Sequence, residues 1–164
     1  MNRYWLFHNY WWIAILISLI CITSIILLSL DNQFILIGSI IASGLGFCYF
    51  VQQQRLAEIN LFKDIFTNFN NRYDKINDKL YMILKSHNKL TPIKMKFIYD
   101  YFNLCSEEYL FFKEGYIYRD VWKAWCRGML IFIDKKPFDK IWEIEEQTDS
   151  YYGLTLKKIK EGAA

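Results

Sequence analysis

The chain has 164 residues, 19% of them aromatic, with a net charge of +3 and a mean hydropathy of +0.05. One soluble domain at most fits beside any membrane segment. A positive surplus this small, mixed with acids throughout, does not by itself imply a nucleic-acid-binding surface.

The averages conceal two unlike parts. Up to Val51 the only charged side chains are Arg3 and Asp31, which cancel. Residues 11–30, WWIAILISLICITSIILLSL, contain neither charge nor proline. At about 1.5 Å per residue such a helix crosses a hydrocarbon core about 30 Å thick. Asp31-Asn32-Gln33 is a polar break, and residues 34–51, FILIGSIIASGLGFCYFV, form a second uncharged run. The spacing predicts an antiparallel two-span hairpin. A cleaved signal peptide is the alternative for the first run, but the run is long and leads directly into a second span.

Arg3 precedes the first span, Arg55 and Lys63 follow the second, and the connecting loop carries only Asp31. The bias of basic residues toward the cytoplasm places both termini inside. Tyr4, Trp5, Tyr10, Trp11 and Trp12 suit an interfacial aromatic belt. The second span bears Gly38, Ala42 and Gly46 at four-residue spacing, with Ser39 and Ser43 in a parallel row. Four-residue spacing of small side chains lets another helix approach closely, either the first span or a second copy of the chain.

Residues 52–161 read as an all-α domain. Gln52-Gln53-Gln54 contains no helix breaker, so the second span continues as one helix. Ile59, Phe62, Phe66, Phe69, Tyr73, Ile76, Leu80 and Ile83 follow in steps of three and four. Such a seam serves a coiled coil between chains or packing within one. Successive phenylalanines favour the second. Asn68, Asn70 and Asn71 are weak helix formers and suggest a kink.

After a polar link at 86–90, Thr91-Pro92 starts a new helix. Its apolar face carries Met95, Ile98, Tyr99, Phe102, Cys105, Tyr109 and Phe112, and Gly115 caps it. A further helix is predicted over 118–134, with Val121, Trp122, Trp125, Met129, Phe132 and Ile133 inward. Lys135-Lys136-Pro137 interrupts it. Phe138, Ile141, Trp142 and Ile144 mark a short last helix, followed by a Tyr151-Tyr152-Gly153 turn and a basic tail. Gly162-Ala163-Ala164 reads as an expression remnant and is set aside.

Chemistry-bearing constellations are sparse. The four cysteines, Cys21, Cys48, Cys105 and Cys126, are scattered and suit small buried hydrophobes. His8 and His87 make no ligand cluster with them. Glu107-Glu108 is the strongest acid pair, but adjacent helical residues point about 100° apart and do not share a paired-carboxylate site. Across the Gly115 turn an acid of this pair meets Arg119, Lys123 or Arg127, as a structural ion pair or as part of a partner site. Tyr151 and Tyr152, near Lys157, Lys158 and Lys160, suit stacking on a single strand, docking of the tail, or anionic lipid heads. The candidate partner surface is therefore Glu107, Glu108, Arg119, Tyr151 and Tyr152. No nucleophile–base pair, glycine-rich phosphate loop or metal motif is present, so no enzyme, cofactor, metal or small-molecule substrate is expected.

Residues 101–142, YFNLCSEEYLFFKEGYIYRDVWKAWCRGMLIFIDKKPFDKIW, carry three short patterns. They are Y-F-N-x-x-x-E-E-Y-x-x-x-K-x-G-Y-I, V-W-x-x-W-x-x-G-M and a following F-x-x-x-W. With the two spans ahead of them, they resemble small two-span bacterial proteins of phage-defence loci, including the membrane effectors of retrons. The resemblance implies an abortive-infection effector of the bacterial inner membrane, toxic when released and otherwise restrained by a cytoplasmic partner. In retrons that partner is a reverse transcriptase with its RNA–DNA product. The resemblance supplies no catalytic residues. An inert anchor that tethers a cytoplasmic protein is the alternative. Injury by two-span chains requires a homo-oligomer in the bilayer, because polar groups in lipid must be covered by other helices.

Overall fold

The computed structural model describes residues 3–28, 32–86 and 89–164, with side chains from Tyr10 onward. The side chains of Arg3, Tyr4, Trp5 and His8, and residues Ser29, Leu30, Asp31 and His87, lie outside this description. Part of the aromatic belt and two of the charges that set orientation are therefore among them. The described residues form six helices and no strand: α1 (Arg3–Leu27), α2 (Gln33–Lys85), α3 (Pro92–Lys113), α4 (Arg119–Ile133), α5 (Phe138–Glu146) and α6 (Leu156–Ala163). The all-α expectation holds.

The chain divides into two compact units after Asn60. The reason is local. Helix α2 runs through Gln52-Gln53-Gln54 without a break, and residues 52–60 are all exposed. Asn68, Asn70 and Asn71 do not interrupt α2 either. The Asn70 amide donates to the Phe66 carbonyl oxygen one turn back, at 2.8 Å.

In the first unit, α1 and the start of α2 are each long and apolar enough to cross a bilayer. Asn32 adopts φ 60°, a left-handed conformation that asparagine tolerates better than most residues, and its carbonyl opens α2 by accepting from Leu36 N. The helices meet along a thin seam. The less exposed positions that trace it are Tyr10, Ile13, Ala14, Ser18, Ile22 and Ile25 on α1, and Gln33, Ile37, Ile40, Gly44, Cys48 and Val51 on α2. At Gly44 an added Cβ would lie 3.2 Å from Ser18 Oγ. Away from the seam, Leu16, Leu45 and Phe50 are among many exposed apolar side chains.

The second unit packs the rest of α2 and α3–α6 around one aromatic core. The expected α2 seam turns inward from Phe62 on, and the packing is within the chain. Phe62 meets Tyr118, Phe66 stacks on Trp125, and Phe69 sets its ring edge-on to Phe111 and Trp125. Leu80 and Ile83 are buried, whereas Ile59 is exposed. Thr91 caps α3 by accepting from Lys94 N, with Pro92 as the first helical residue. Gly115, at φ +83°, takes the left-handed position after α3, and Tyr116 N reaches back to Phe111 O. A residue with a Cβ would be strained there.

Helix α4 starts at Arg119, with Tyr118 outside it and exposed. Trp122, Met129, Phe132 and Ile133 are buried as expected. In α5, Phe138 and Trp142 are buried, but Ile144 is exposed, because a helix this short turns only one narrow stripe inward.

The basic tail is a helix. Thr155 caps α6 by accepting from Lys158 N, and Ile159 is fully buried. Helix α6 lies against α4 more extensively than any other described helix pair meets. Gly162 makes this possible: a Cβ on it would sit 2.6 Å from Cys126 Sγ and 2.7 Å from Trp122 Nε1. Lys123 Nζ and Arg127 Nε donate to the Ala164 and Ala163 carbonyl oxygens. The last residues thus take part in the fold, against the expectation that set them aside.

Candidate functional site

The acid pair on α3 is the chemical centre of the second unit, and its two members have opposite surroundings. Residues 100, 103, 104 and 107 fall on one face of α3, at steps of three and four, toward α2. Glu107 on this face is bound by both terminal guanidinium nitrogens of Arg72 on α2, with Arg72 Nη2 to Oε1 at 2.9 Å. Such a bidentate fork is the strongest common geometry for this ion pair. The hydrogen bond to Glu107 holds the Arg72 guanidinium above its ordinary pKa, more than burial pulls it down.

Glu108, one position on, points into the core and is 7% exposed. No hydrogen bond to its carboxyl is formed among the described residues. Burial pushes that carboxyl up to about 8, against the pull of Arg72, and the charge on Glu107 adds to the rise. Glu108 is therefore a neutral acid at neutral pH. Cys105 and Cys126 are free, buried thiols that burial pushes up, Cys126 to about 12. They are poor nucleophiles.

The partners proposed for the acid pair on α4 are not used. Lys123 and Arg127 hold the C-terminal end of α6, and Arg119 is exposed on the first turn of α4. No local spacing rule could have found Arg72, which lies 35 residues from Glu107.

The other members of the expected partner surface separate in the same way. Tyr151 is buried, stacked on Trp142 at 5.4 Å, with its hydroxyl donating to Glu145 Oε2. Burial, with Glu145 close by, raises its phenol. Tyr151 is a core residue and presents no ring to a partner; Glu108 is equally withdrawn. Tyr152 is exposed, at φ 55°. Glu107, Arg119 and Tyr152 stay accessible.

Two of the tail lysines reach outside α6. Lys158 Nζ donates to Gly153 O and lies over the Tyr109 ring, and Lys160 pairs with Asp134 at 3.0 Å. Lys157 reaches Glu161 at 3.9 Å.

Beside the Arg72–Glu107 pair opens a cleft of about 390 Å³. Arg72, Lys75 and Ile76 of α2 form one wall, and Asp100, Asn103 and Glu107 of α3 form the other. Leu104 and Ser106 lie at its base, with Ser150 and Tyr152 on the rim. Ser106 is 2% exposed and its hydroxyl donates to Asn103 O at 2.8 Å. Glu107 and Tyr152, far apart in sequence, thus share one site, and reading the sequence alone missed the lysine, asparagine and serine between them. Among the described residues no cluster of three or more histidine, cysteine or acidic side chains has a metal-binding arrangement.

In the first unit the small-residue face lies away from the hairpin seam. A Cβ on Gly38 or Gly46 would meet nothing within 4 Å, and Ala42 is exposed. Within the chain the close approach belongs to Gly44 instead. Spacing alone could not decide this, because Gly44 stands outside both small-residue rows.

Comparison with known proteins finds no matching family model, no matching curated protein and no matching solved structure.

Proposed function

We propose that this chain is a two-span protein of the bacterial inner membrane that acts as a releasable, membrane-damaging effector in phage defence. One observation supports this reading most directly. Once α1 and α2 have paired, the face of Gly38, Ala42 and Gly46 is still open to a further helix. Two spans cannot enclose an aqueous path, so injury requires several chains, and this face is where they gather. Residues 11–30 and 34–51 carry no ionisable side chain of the acidic or basic kind, so the leak is weakly selective. The basic residues around the spans support a cytoplasmic location for both termini and the helical domain. There a restraining partner, a reverse transcriptase with its RNA–DNA product on this reading, keeps chains apart.

The test is induction of the chain alone in a bacterial host while membrane potential is followed with a dye. Depolarisation is expected. An intact potential at normal expression would overturn the effector and leave an inert anchor. Leucine at Gly38, Ala42 or Gly46, introduced singly, should abolish depolarisation and the crosslinked oligomers while the protein still inserts. Gly44→Leu should act differently, by opening the hairpin within each chain. Full activity and full crosslinking in all three face variants would sink assembly through this face.

A further inference from the structure

The cleft between α2 and α3 is not needed for membrane injury, and its chemistry points elsewhere. Its lining sets charged and polar side chains around the apolar surface of Ile76 and Leu104. Its carboxylates are already engaged. Glu107 is held by both terminal nitrogens of Arg72, and Asp100 accepts from Lys96. Lys75 on the α2 wall forms no ion pair among the described residues, and the Arg72 fork to Glu107 leaves further N–H donors unused. These free donors can take the oxygens of an anion.

An inorganic anion would fill only a small part of about 390 Å³. The remaining space offers the Tyr152 ring, the Asn103 amide and the buried Ser106 hydroxyl over apolar Leu104 and Ile76. An amide that both donates and accepts suits the edge of a heterocyclic base, and an exposed tyrosine suits its face.

We propose that this cleft binds a nucleotide, with the phosphate on Lys75 and Arg72 and the base at Tyr152 and Asn103. The ligand is either a free mononucleotide or one nucleotide of a single strand. The proposal is independent of the membrane-injury reading and stands or falls separately.

Full-length protein in detergent would be titrated calorimetrically with the four ribonucleoside 5′-monophosphates and with a short mixed-sequence oligonucleotide. Unphosphorylated nucleosides and inorganic phosphate serve as controls. Saturable binding of at least one nucleotide is expected, tighter than either control. Tyr152→Ala should weaken it about tenfold, as loss of one aromatic stack does, and Tyr152→Phe should preserve it. Lys75→Ala should weaken it and Lys75→Arg restore it. Both positions are exposed, and an unchanged helical circular dichroism spectrum would verify folding. Preference for the oligonucleotide would assign the strand, and preference for a monophosphate the free ligand. Absence of saturable binding by the folded protein, or binding unaffected by Lys75→Ala and Tyr152→Ala, would overturn the proposal.

Discussion

Glu108→Gln is expected to stabilise the helical domain at pH 7 and to remove most of its pH dependence between pH 5 and 8. The argument is one of proton linkage. The Glu108 carboxyl is raised from 4.5 to about 8 by burial in the folded chain. In the unfolded chain it ionises near its ordinary value. Below that value both states hold the proton and nothing is lost. As pH rises through the window the unfolded state gives up its proton and the folded state keeps it, so stability falls until pH passes about 8. At pH 7 the accumulated cost is on the order of 3 kcal/mol. The groups that face Glu108 do not reverse the sign. They are Arg72 and Tyr73 from α2, Tyr101, Cys105 and Glu107 from α3, and Cys126 from α4. Of these only Arg72 and Glu107 are charged at neutral pH, and they act in opposite directions. Urea unfolding of the detergent-solubilised protein at pH 5, 7 and 9, followed by tryptophan emission, measures the effect. Parallel pH profiles for parent and variant would contradict it.

The second large effect is expected at Gly162. Alanine there places a methyl group 2.6 Å from Cys126 Sγ and 2.7 Å from the Trp122 indole nitrogen. Both neighbours are buried, and neither is the free end of a flexible chain. Overpacking of this kind costs about 1–3 kcal/mol. The substitution should lift α6 from α4 and let trypsin reach the backbone after Lys157, Lys158 and Lys160, whose side chains are already exposed. Gly128→Ala is the matched control. It lies on α4, where an added Cβ meets nothing within 4 Å, and should leave cleavage unchanged. Equal trypsin resistance in Gly162→Ala and the parent would show that α4 and α6 can accommodate the methyl group.

What could be read beforehand follows from which signals are local. Thr91-Pro92 and Gly115 act on their own turns, so both ends of α3 were legible. The long apolar runs needed only length and composition. The α2 seam was legible as a stripe, and its phenylalanines pointed to packing within the chain, which Phe66 and Phe69 against Trp125 realise. Helix α6 had a signal that was overlooked. Thr155 is an N-cap, and Leu156, Ile159 and Ala163 recur at steps of three and four, but the lysines between them read as a solvated tail. The site was largely illegible. Glu107 finds Arg72 across 35 residues, Tyr152 joins them through a turn with positive φ, and neither depends on neighbours in sequence. Nor could periodicity tell the face of Gly38 from that of Gly44, since both offer the small residue a close helix needs.

Glu146 supplies a built-in optical gauge. One of its oxygens, Oε2, accepts both from the Trp142 indole nitrogen at 2.8 Å and from the backbone nitrogen of Leu156, the first residue of α6, at 3.3 Å. A single atom thus links the environment of one indole to the seating of the last helix. If α6 departs, that oxygen loses one of its two donors and the cover over Trp142 changes with it. With the other five tryptophans replaced by phenylalanine, the emission maximum and lifetime of Trp142 therefore register the closure of this end of the domain.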